Sequence, residues 1–138
     1  MYKSIMVPVD LAHKERLERA LRSAADLAKL YGATVTYVGA TTPVPSSVAH
    51  TPEEYGTKLH QFAQAQAREH GLTASDHMVI AHDPISDLDD ALLKAVSDVG
   101  ADLVVMASHL PGLADYVWPS NGGKIASHSK ASVLVVRG

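Results

Sequence analysis

The chain has 138 residues and a mass of 14.7 kDa, which fits one domain, and we expect that domain to span residues 1–138. Its net charge of −3 and its dispersed basic residues predict no nucleic-acid binding, and no apolar run approaches the length that crosses a membrane. The chain has no cysteine, which excludes disulfides and zinc–thiolate sites, and no leader pattern precedes the first apolar run, so we expect a cytoplasmic protein.

The first two predicted elements are a strand and a helix. Lys3–Val9 is a short run rich in Ile and Val, which favours a strand that is buried on both faces. From Lys14 onward apolar residues recur at three- and four-residue spacing, which predicts a helix with one buried side. Gly32 follows the last turn, where a left-handed C-cap is expected. The buried side of this helix comprises Leu17, Leu21, Ala24 and Ala28.

A second strand and a second helix follow, separated by a polar loop. Ala33–Gly39 is rich in β-forming residues and predicts the strand, whereas Thr41–His50 contains prolines and serines that are typical of a surface loop. The helix is expected to start at Thr51. Pro52 suits the first helical position, and Glu54 completes a Thr-x-x-Glu capping box.

The third strand and third helix are predicted from a similar pattern. Asp76–Ala81 is the next apolar run, and Asp83-Pro84 is typical of a helix start, with Asp83 as the N-cap. The predicted buried side of this helix comprises Ile85, Leu88, Leu92, Ala95 and Val96.

The C-terminal part of the chain predicts two more strands. Ala101–Ala107 is strongly apolar, a weak helix starts at Ser120, and Ser132–Arg137 is the last apolar run. Strands therefore alternate with helices along the whole chain. This alternation predicts an α/β fold, a doubly wound five-stranded parallel sheet with helices on both faces.

Ligands of such sheets bind beyond the carboxyl ends of the strands, where the strand order reverses. If the first and fourth strands are neighbours there, Asp10 and the pair Ser108-His109 follow them into one crevice. The start of the last helix, Ser120–Gly123, would lie over the same crevice and would favour an anion.

Several segments resemble one protein family. Tyr2–Asp10 looks like the first strand of universal stress proteins, and Gly100–His109 looks like their fourth strand and its loop. Ser120-Asn121, His128 and Ser132–Arg137 resemble the closing segment of that family. The similarity covers nearly the whole chain, in order and in spacing.

The resemblance implies an adenine nucleotide alpha hydrolase-like sheet in the order 3-2-1-4-5. It also implies a homodimer in which the last strands pair across a two-fold axis, which would cover an otherwise exposed apolar edge. The implied interface residues are Val133, Leu134, Val135 and Val136.

An adenine nucleotide, AMP or ATP with or without Mg²⁺, is the ligand that the resemblance implies, and no cofactor is required. The phosphate-binding glycines of the family correspond here to Ala107, Leu110 and Pro119, so all three are replaced. The implied nucleotide contacts are Pro8, Val9, Asp10, Val38, Ala107, Ser108, His109, Ser120, Asn121 and Gly122.

Alternatives remain for individual residues. Asp10 could cap the turn after the first strand instead of contacting a ligand. Ser108 and His109 beside Asp10 have the residue types of a hydrolase, but the chain has no Gly-x-Ser-x-Gly elbow. Four histidines could line one rim and offer a metal site, although no His-x-x-x-His spacing occurs. These histidines are His13, His50, His82 and His109.

For the whole protein we expect a non-enzymatic stress-response regulator or small-ligand sensor. A slow ATP hydrolase is one alternative, although the chain has no Walker lysine motif to hold a triphosphate. A protein-interaction module is the other, in which a bulky residue such as Leu110 fills the pocket.

Overall fold

The computed structural model describes residues 1–83, 87–107 and 123–137. Within these ranges five strands form one sheet in the order β3-β2-β1-β4-β5, and every neighbouring pair is parallel. The predicted α/β fold and strand order are therefore confirmed. None of the helices in the described ranges combines the length and apolar content that a bilayer span requires.

The strands are β1 (Ser4–Val9), β2 (Thr34–Thr41), β3 (Ala74–Ile80), β4 (Leu103–Ala107) and β5 (Ser132–Val136). The helices are α1 (Glu18–Tyr31), α2 (Pro52–His70), α3 (Leu88–Val99) and α4 (residues 123–128), and a 3-10 segment covers Leu11–Arg16.

The core lies between the sheet and these helices. Residues Ile5–Val9 of β1 and all of β4 are buried, as expected for strands that helices cover on both faces. Helix α1 packs against β1 and β4, and α2 packs against β2 and β3. All four residues predicted for the inner side of α1 are buried, and the helix ends at Gly32 with the expected left-handed φ of 65°.

The start of α2 also agrees with the capping pattern. The Thr51 hydroxyl accepts a hydrogen bond from the Glu54 amide at 3.1 Å. The Glu54 carboxylate in turn accepts from the His50 amide at 3.1 Å, one residue before the position that a capping box uses. This amide is the largest cause of the lowered pKa of Glu54.

Two predicted helix starts are wrong. Helix α1 begins at Glu18 rather than at Lys14, because residues up to Arg16 belong to the 3-10 segment, which is itself interrupted by the non-helical dihedral angles of His13 (φ −134°, ψ 47°). Helix α3 begins at Leu88, so Asp87 and not Asp83 stands at its N-cap position. The Asp83 amide donates to the Asp87 carboxylate at 2.9 Å, and the Asp87 amide donates to the Asp83 carbonyl at 2.8 Å, while residues 84–86 between them lie outside the described residues.

The carboxylate of Asp102 connects the amino ends of β4 and β1 through hydrogen bonds. Asp102, which precedes β4, accepts from the Lys3 amide at 2.9 Å and from the Ser4 amide at 3.0 Å. Nearby, the Tyr2 hydroxyl donates to the Ser132 hydroxyl at 3.0 Å. These bonds join the amino end of β1 to the amino ends of β4 and β5, on the side of the sheet opposite the candidate site.

Two buried polar atoms between β2 and α2, the Tyr37 hydroxyl and the Gln66 carbonyl oxygen, have no hydrogen-bond partner among the described residues. The ring of Tyr37 makes an edge-to-face contact with Phe62 at 5.5 Å between centroids. Burial, with a smaller contribution from the charge of Glu69, raises the pKa of Tyr37 to about 12, so the hydroxyl is neutral at physiological pH.

Candidate functional site

The candidate site lies where β1 and β4 separate. Between these described strands the ladder pairs Ile5 with Leu103 and Met6 with Val104 and ends there, although β1 continues to Val9 and β4 to Ala107. On its other side β1 stays paired with β2 as far as Val9 and Gly39. The carboxyl ends of β1 and β4 therefore lose their direct pairing at the point where the strand order reverses, which is where sheets of this kind bind ligands.

Pro8 is consistent with this separation. A proline has no amide hydrogen to donate and is unfavourable inside a central strand. In β1 it lies beyond the last pair with β4, at Met6–Val104, while its residue pair with Val38 of β2 is kept. The end of β1, at Pro8 and Val9, is thus paired with β2 on one side and unpaired with β4 on the other.

Asp10 is the first residue after β1, and its side chain makes two local contacts. One carboxylate oxygen, Oδ1, accepts from the Ala12 amide at 3.0 Å and caps the 3-10 segment. The other, Oδ2, lies 3.0 Å from Nδ1 of His13. Asp10 therefore caps the turn, and this contact uses only part of the acceptor capacity of its carboxylate. The side chains of Asp10 and His13 remain 29% and 42% exposed, so a solute can still reach the carboxylate.

The carboxyl end of β2 forms the next wall of the site. Val38 is buried, and the following Gly39 faces the aromatic ring of Tyr55 from the first turns of α2. A Cβ at position 39 would lie 2.9 Å from Cε1 of Tyr55, so only glycine allows the ring to lie against the strand. Successive strand residues face opposite sides, which puts Val38 on the face away from Tyr55.

Tyr55 is electrostatically coupled to Asp10. Burial and then the negative charge of Asp10 raise the pKa of the Tyr55 hydroxyl above its ordinary value. The phenol is therefore neutral at physiological pH. Asp10 and His13 are partly exposed and present a carboxylate and an imidazole, which can accept and donate hydrogen bonds to a hydroxylated ligand, whereas the phenol of Tyr55 is buried.

The structure brings together half of the predicted nucleotide contacts. Pro8 and Val9 end β1 and Asp10 follows it, Val38 lies beside Pro8 on β2, and Ala107 ends β4. Except for Asp10 these residues are buried, so their side chains form walls rather than polar contacts. The other predicted contacts, Ser108, His109, Ser120, Asn121 and Gly122, lie outside the described residues, as do Leu110 and Pro119.

Two residues of the site were not predicted as nucleotide contacts. His13 was considered only as a metal ligand, although an Asp-x-x-His spacing directly after a strand could have indicated its pairing with Asp10. Tyr55 had no signal beyond its place on an apolar helix face, because its contact with Gly39 joins distant parts of the chain. Within residues 1–83, 87–107 and 123–137, no three histidine or acidic side chains gather as metal ligands. His109 of the predicted rim is outside these ranges.

The match to a known family decides the identity of this fold. The sequence profile of the Universal stress protein family matches residues 1–137. The chain belongs to the universal stress protein family. It is also similar to Universal stress protein G of Shigella flexneri, with 28% identity over 147 residues that cover 99% of this chain and all of the relative.

Solved universal stress proteins share the fold. One of them, determined in complex with cAMP, has 23% identity and a TM-score of 0.69, and the match covers 98% of this chain and 97% of that one. Another, from Archaeoglobus fulgidus in complex with dAMP, has 21% identity and a TM-score of 0.66, and the match covers 97% of each chain. At these identities the likeness supports the architecture of the universal stress protein domain and no individual contact.

The last strand of this universal stress protein has an exposed apolar edge. Leu134 and Val135 are 38% and 45% exposed, and Val133 and Val136 are half-buried. In the described residues β5 pairs only with β4.

Proposed function

We propose that this universal stress protein is a non-enzymatic regulator or sensor that binds an adenine nucleotide of the AMP type between β1 and β4. The observation that carries the proposal is the early end of the β1–β4 ladder, with the exposed carboxylate of Asp10 at the mouth of the resulting gap. Solved proteins of the same fold bind cAMP and dAMP, which makes an adenine nucleotide the first ligand to test.

The proposed contacts divide by chemistry. Asp10 accepts a hydrogen bond from a ribose hydroxyl, because an ionised carboxylate is a strong acceptor and its remaining lone pairs are reachable. Pro8, Val9, Val38 and Ala107 supply an apolar wall for the base and sugar. Ser108, His109, Ser120, Asn121 and Gly122 complete the proposed phosphate side.

Calorimetric titration of the purified protein with AMP, cAMP and Mg²⁺-ATP tests this proposal. We expect saturable binding of AMP, and we expect the Asp10→Ala variant to weaken it about 10- to 100-fold, the worth of a hydrogen bond to a charged group. Asp76→Ala is the matched control, since Asp76 also pairs with a histidine, His60, at 2.8 Å, but on the edge strand β3.

The result that would overturn the proposal is the absence of saturable heat with all three nucleotides at millimolar concentration. Equal weakening by Asp10→Ala and Asp76→Ala would also overturn it, because a loss shared with a remote carboxylate reports general destabilisation. Circular dichroism of each variant ensures that folded proteins are compared.

We further propose that the protein is a homodimer through β5. Unpaired strand edges with apolar side chains tend to pair with another chain, and Leu134 and Val135 are adjacent and exposed on such an edge. Pairing of two β5 edges around a two-fold axis would satisfy the backbone groups of both copies.

The second candidate function is a protein-interaction module with a closed pocket. Tyr55 favours it, because its buried ring fills the space against Gly39, at the carboxyl end of β2 that pairs with the end of β1. If this candidate is correct, the wild-type protein binds no nucleotide, whereas Tyr55→Ala gains measurable AMP binding in the same titration.

A further inference from the structure

The carboxylate proposed to hold the ribose is already partly occupied. Its Oδ1 atom accepts from the Ala12 amide, and its Oδ2 atom lies 3.0 Å from Nδ1 of His13. An ionised carboxylate has about four acceptor positions, two on each oxygen. One position on each oxygen of Asp10 is therefore used before any ligand arrives.

A ribose with free 2′ and 3′ hydroxyls contacts a carboxylate best when each hydroxyl donates to a different oxygen. This arrangement needs space and a free lone pair at both oxygens. The imidazole of His13 lies 3.0 Å from Oδ2, where it takes one acceptor position and the space on that side of the oxygen, whether it is the imidazolium or the neutral ring protonated on Nδ1. A second hydroxyl must therefore displace the ring to approach Oδ2 from that side. A ligand with a single free hydroxyl needs only one oxygen and does not compete with the imidazole.

We propose that His13 determines ribose specificity in this crevice by holding Oδ2 of Asp10. Ligands with one free ribose hydroxyl, such as 2′-deoxynucleotides and 3′,5′-cyclic nucleotides, bind nearly as well as ribonucleotides with a free diol. The inference rests on the proposed function, because it concerns the sugar held at the same carboxylate. His13 acts on the ligand through Asp10 and is therefore a positioning residue.

A ligand can displace His13 from Asp10 at a small cost in free energy. Both side chains are partly exposed, and an ion pair of this kind is worth about 1 kcal/mol or less. His13 therefore does not block the site. It offsets up to about fivefold of the advantage that a second hydroxyl would otherwise give, an advantage of about tenfold or more for a hydrogen bond to a charged acceptor.

The test is a cycle of two ligands and three proteins. AMP and 2′-deoxy-AMP are titrated into the wild type, His13→Ala and His60→Ala. His60 is the matched control, because it forms the other described histidine–aspartate pair, with Asp76 at 2.8 Å. We expect wild-type affinities for the two ligands within about threefold of each other. We expect His13→Ala to bind AMP up to about fivefold tighter, with 2′-deoxy-AMP unchanged, since Oδ2 is released and the pair it replaces is worth about 1 kcal/mol or less.

A His13→Gln variant completes the series, because its side-chain amide keeps a donor for Asp10 and should retain the wild-type ratio of affinities. A merely structural role of His13 would change both affinities together and leave the ratio unchanged, which would overturn the inference while the nucleotide site stands. If neither ligand binds to the wild type or to His13→Ala, the proposed function fails and this inference fails with it.

Discussion

The two edges of the sheet are protected in different ways. At one edge, β3 contains the polar run Ser75-Asp76-His77, and α2 packs along it and ties to it through the His60–Asp76 pair. At the other edge, β5 is apolar from Val133 to Val136, and two adjacent residues are exposed. Ile80 at the end of β3 is also 45% exposed, but it stands alone.

The difference shows how one sheet can carry one free edge and one edge suited to pairing. Polar and charged side chains on an edge strand discourage another strand from adding to it, whereas an apolar edge invites addition. Single exposed apolar residues are ordinary on protein surfaces. The proposed dimer therefore uses β5, and β3 stays solvated.

The largest effect is expected from a charge on β5. Val135 and Ile80 have the same exposed fraction, 45%, so lysine at either position meets the same solvent in a single protomer. In a β5 dimer Val135→Lys would bury an unpaired ammonium, and we expect the dissociation constant to rise more than about 100-fold. Ile80→Lys should leave the dimer intact.

Light scattering after gel filtration measures this directly, against a protomer mass of 14.7 kDa. The wild type and Ile80→Lys should elute at twice the protomer mass, and Val135→Lys at the protomer mass. A wild type of one protomer, or equal dissociation of both variants, would contradict the assignment of the dimer to β5.

A smaller effect, on the free energy of unfolding, is expected from a substitution where α2 packs on β2. Gly39→Ala places a Cβ 2.9 Å from Cε1 of Tyr55, so the ring and the start of α2 must move away from β2. Forcing extra volume into a packed contact costs about 1–3 kcal/mol, and we expect a loss of stability in that range by urea unfolding.

Gly56→Ala within α2 is the control for this substitution. Its added Cβ would meet Sδ of Met78 at 3.7 Å, an ordinary contact. Because alanine favours a helix over glycine by up to about 1 kcal/mol, this variant should be more stable than the wild type. Similar losses in both variants would show that the close packing of Tyr55 on Gly39 is not the cause.

Much of the fold could be predicted because its signals are local. The alternation of strand and helix patterns, the apolar spacing from Leu17 to Ala28 and the cap at Thr51 all depend on residues within one or two turns. The predicted helix starts were less accurate, because apolar spacing does not distinguish an α-helix from the 3-10 segment at Leu11–Arg16, and Asp83 and Asp87 both have a residue type that caps helices.

The candidate site was predictable only in part. Asp10 was identified because it follows the first strand at the expected switch point and belongs to a segment that resembles the first strand of universal stress proteins. Its contact with His13 and the position of Tyr55 on Gly39 depend on how separate segments meet in space, which a single sequence does not specify. The unpartnered Tyr37 hydroxyl was equally invisible, since tyrosine in a strand reads as an ordinary β-former.

The smallest expected effect is the loss of stability when one carboxylate is removed, either Asp102 before β4 or Asp76 on the edge strand β3. Burial opposes the ionisation of Asp102, but the amides of Lys3 and Ser4 outweigh it and lower the pKa of the carboxyl group. Asp102→Ala should cost about 1 kcal/mol at pH 7, the net worth of the lost hydrogen bonds at a partly exposed site. Asp76→Ala on β3 should cost less than about 0.5 kcal/mol, since it removes only an exposed pair.

The pH dependence separates this cause from simple loss of packing. A carboxylate whose pKa is lower in the folded state stabilises the protein above its unfolded pKa of about 3.9, and this contribution is lost as the pH falls through the folded pKa. The difference between the wild type and Asp102→Ala should therefore be constant from about pH 7 to pH 5 and shrink in more acidic solution. If the difference in free energy of unfolding between the wild type and Asp102→Ala stays the same at low pH, the charge of Asp102 is not what stabilises the contact between β1 and β4. The prediction would then be contradicted.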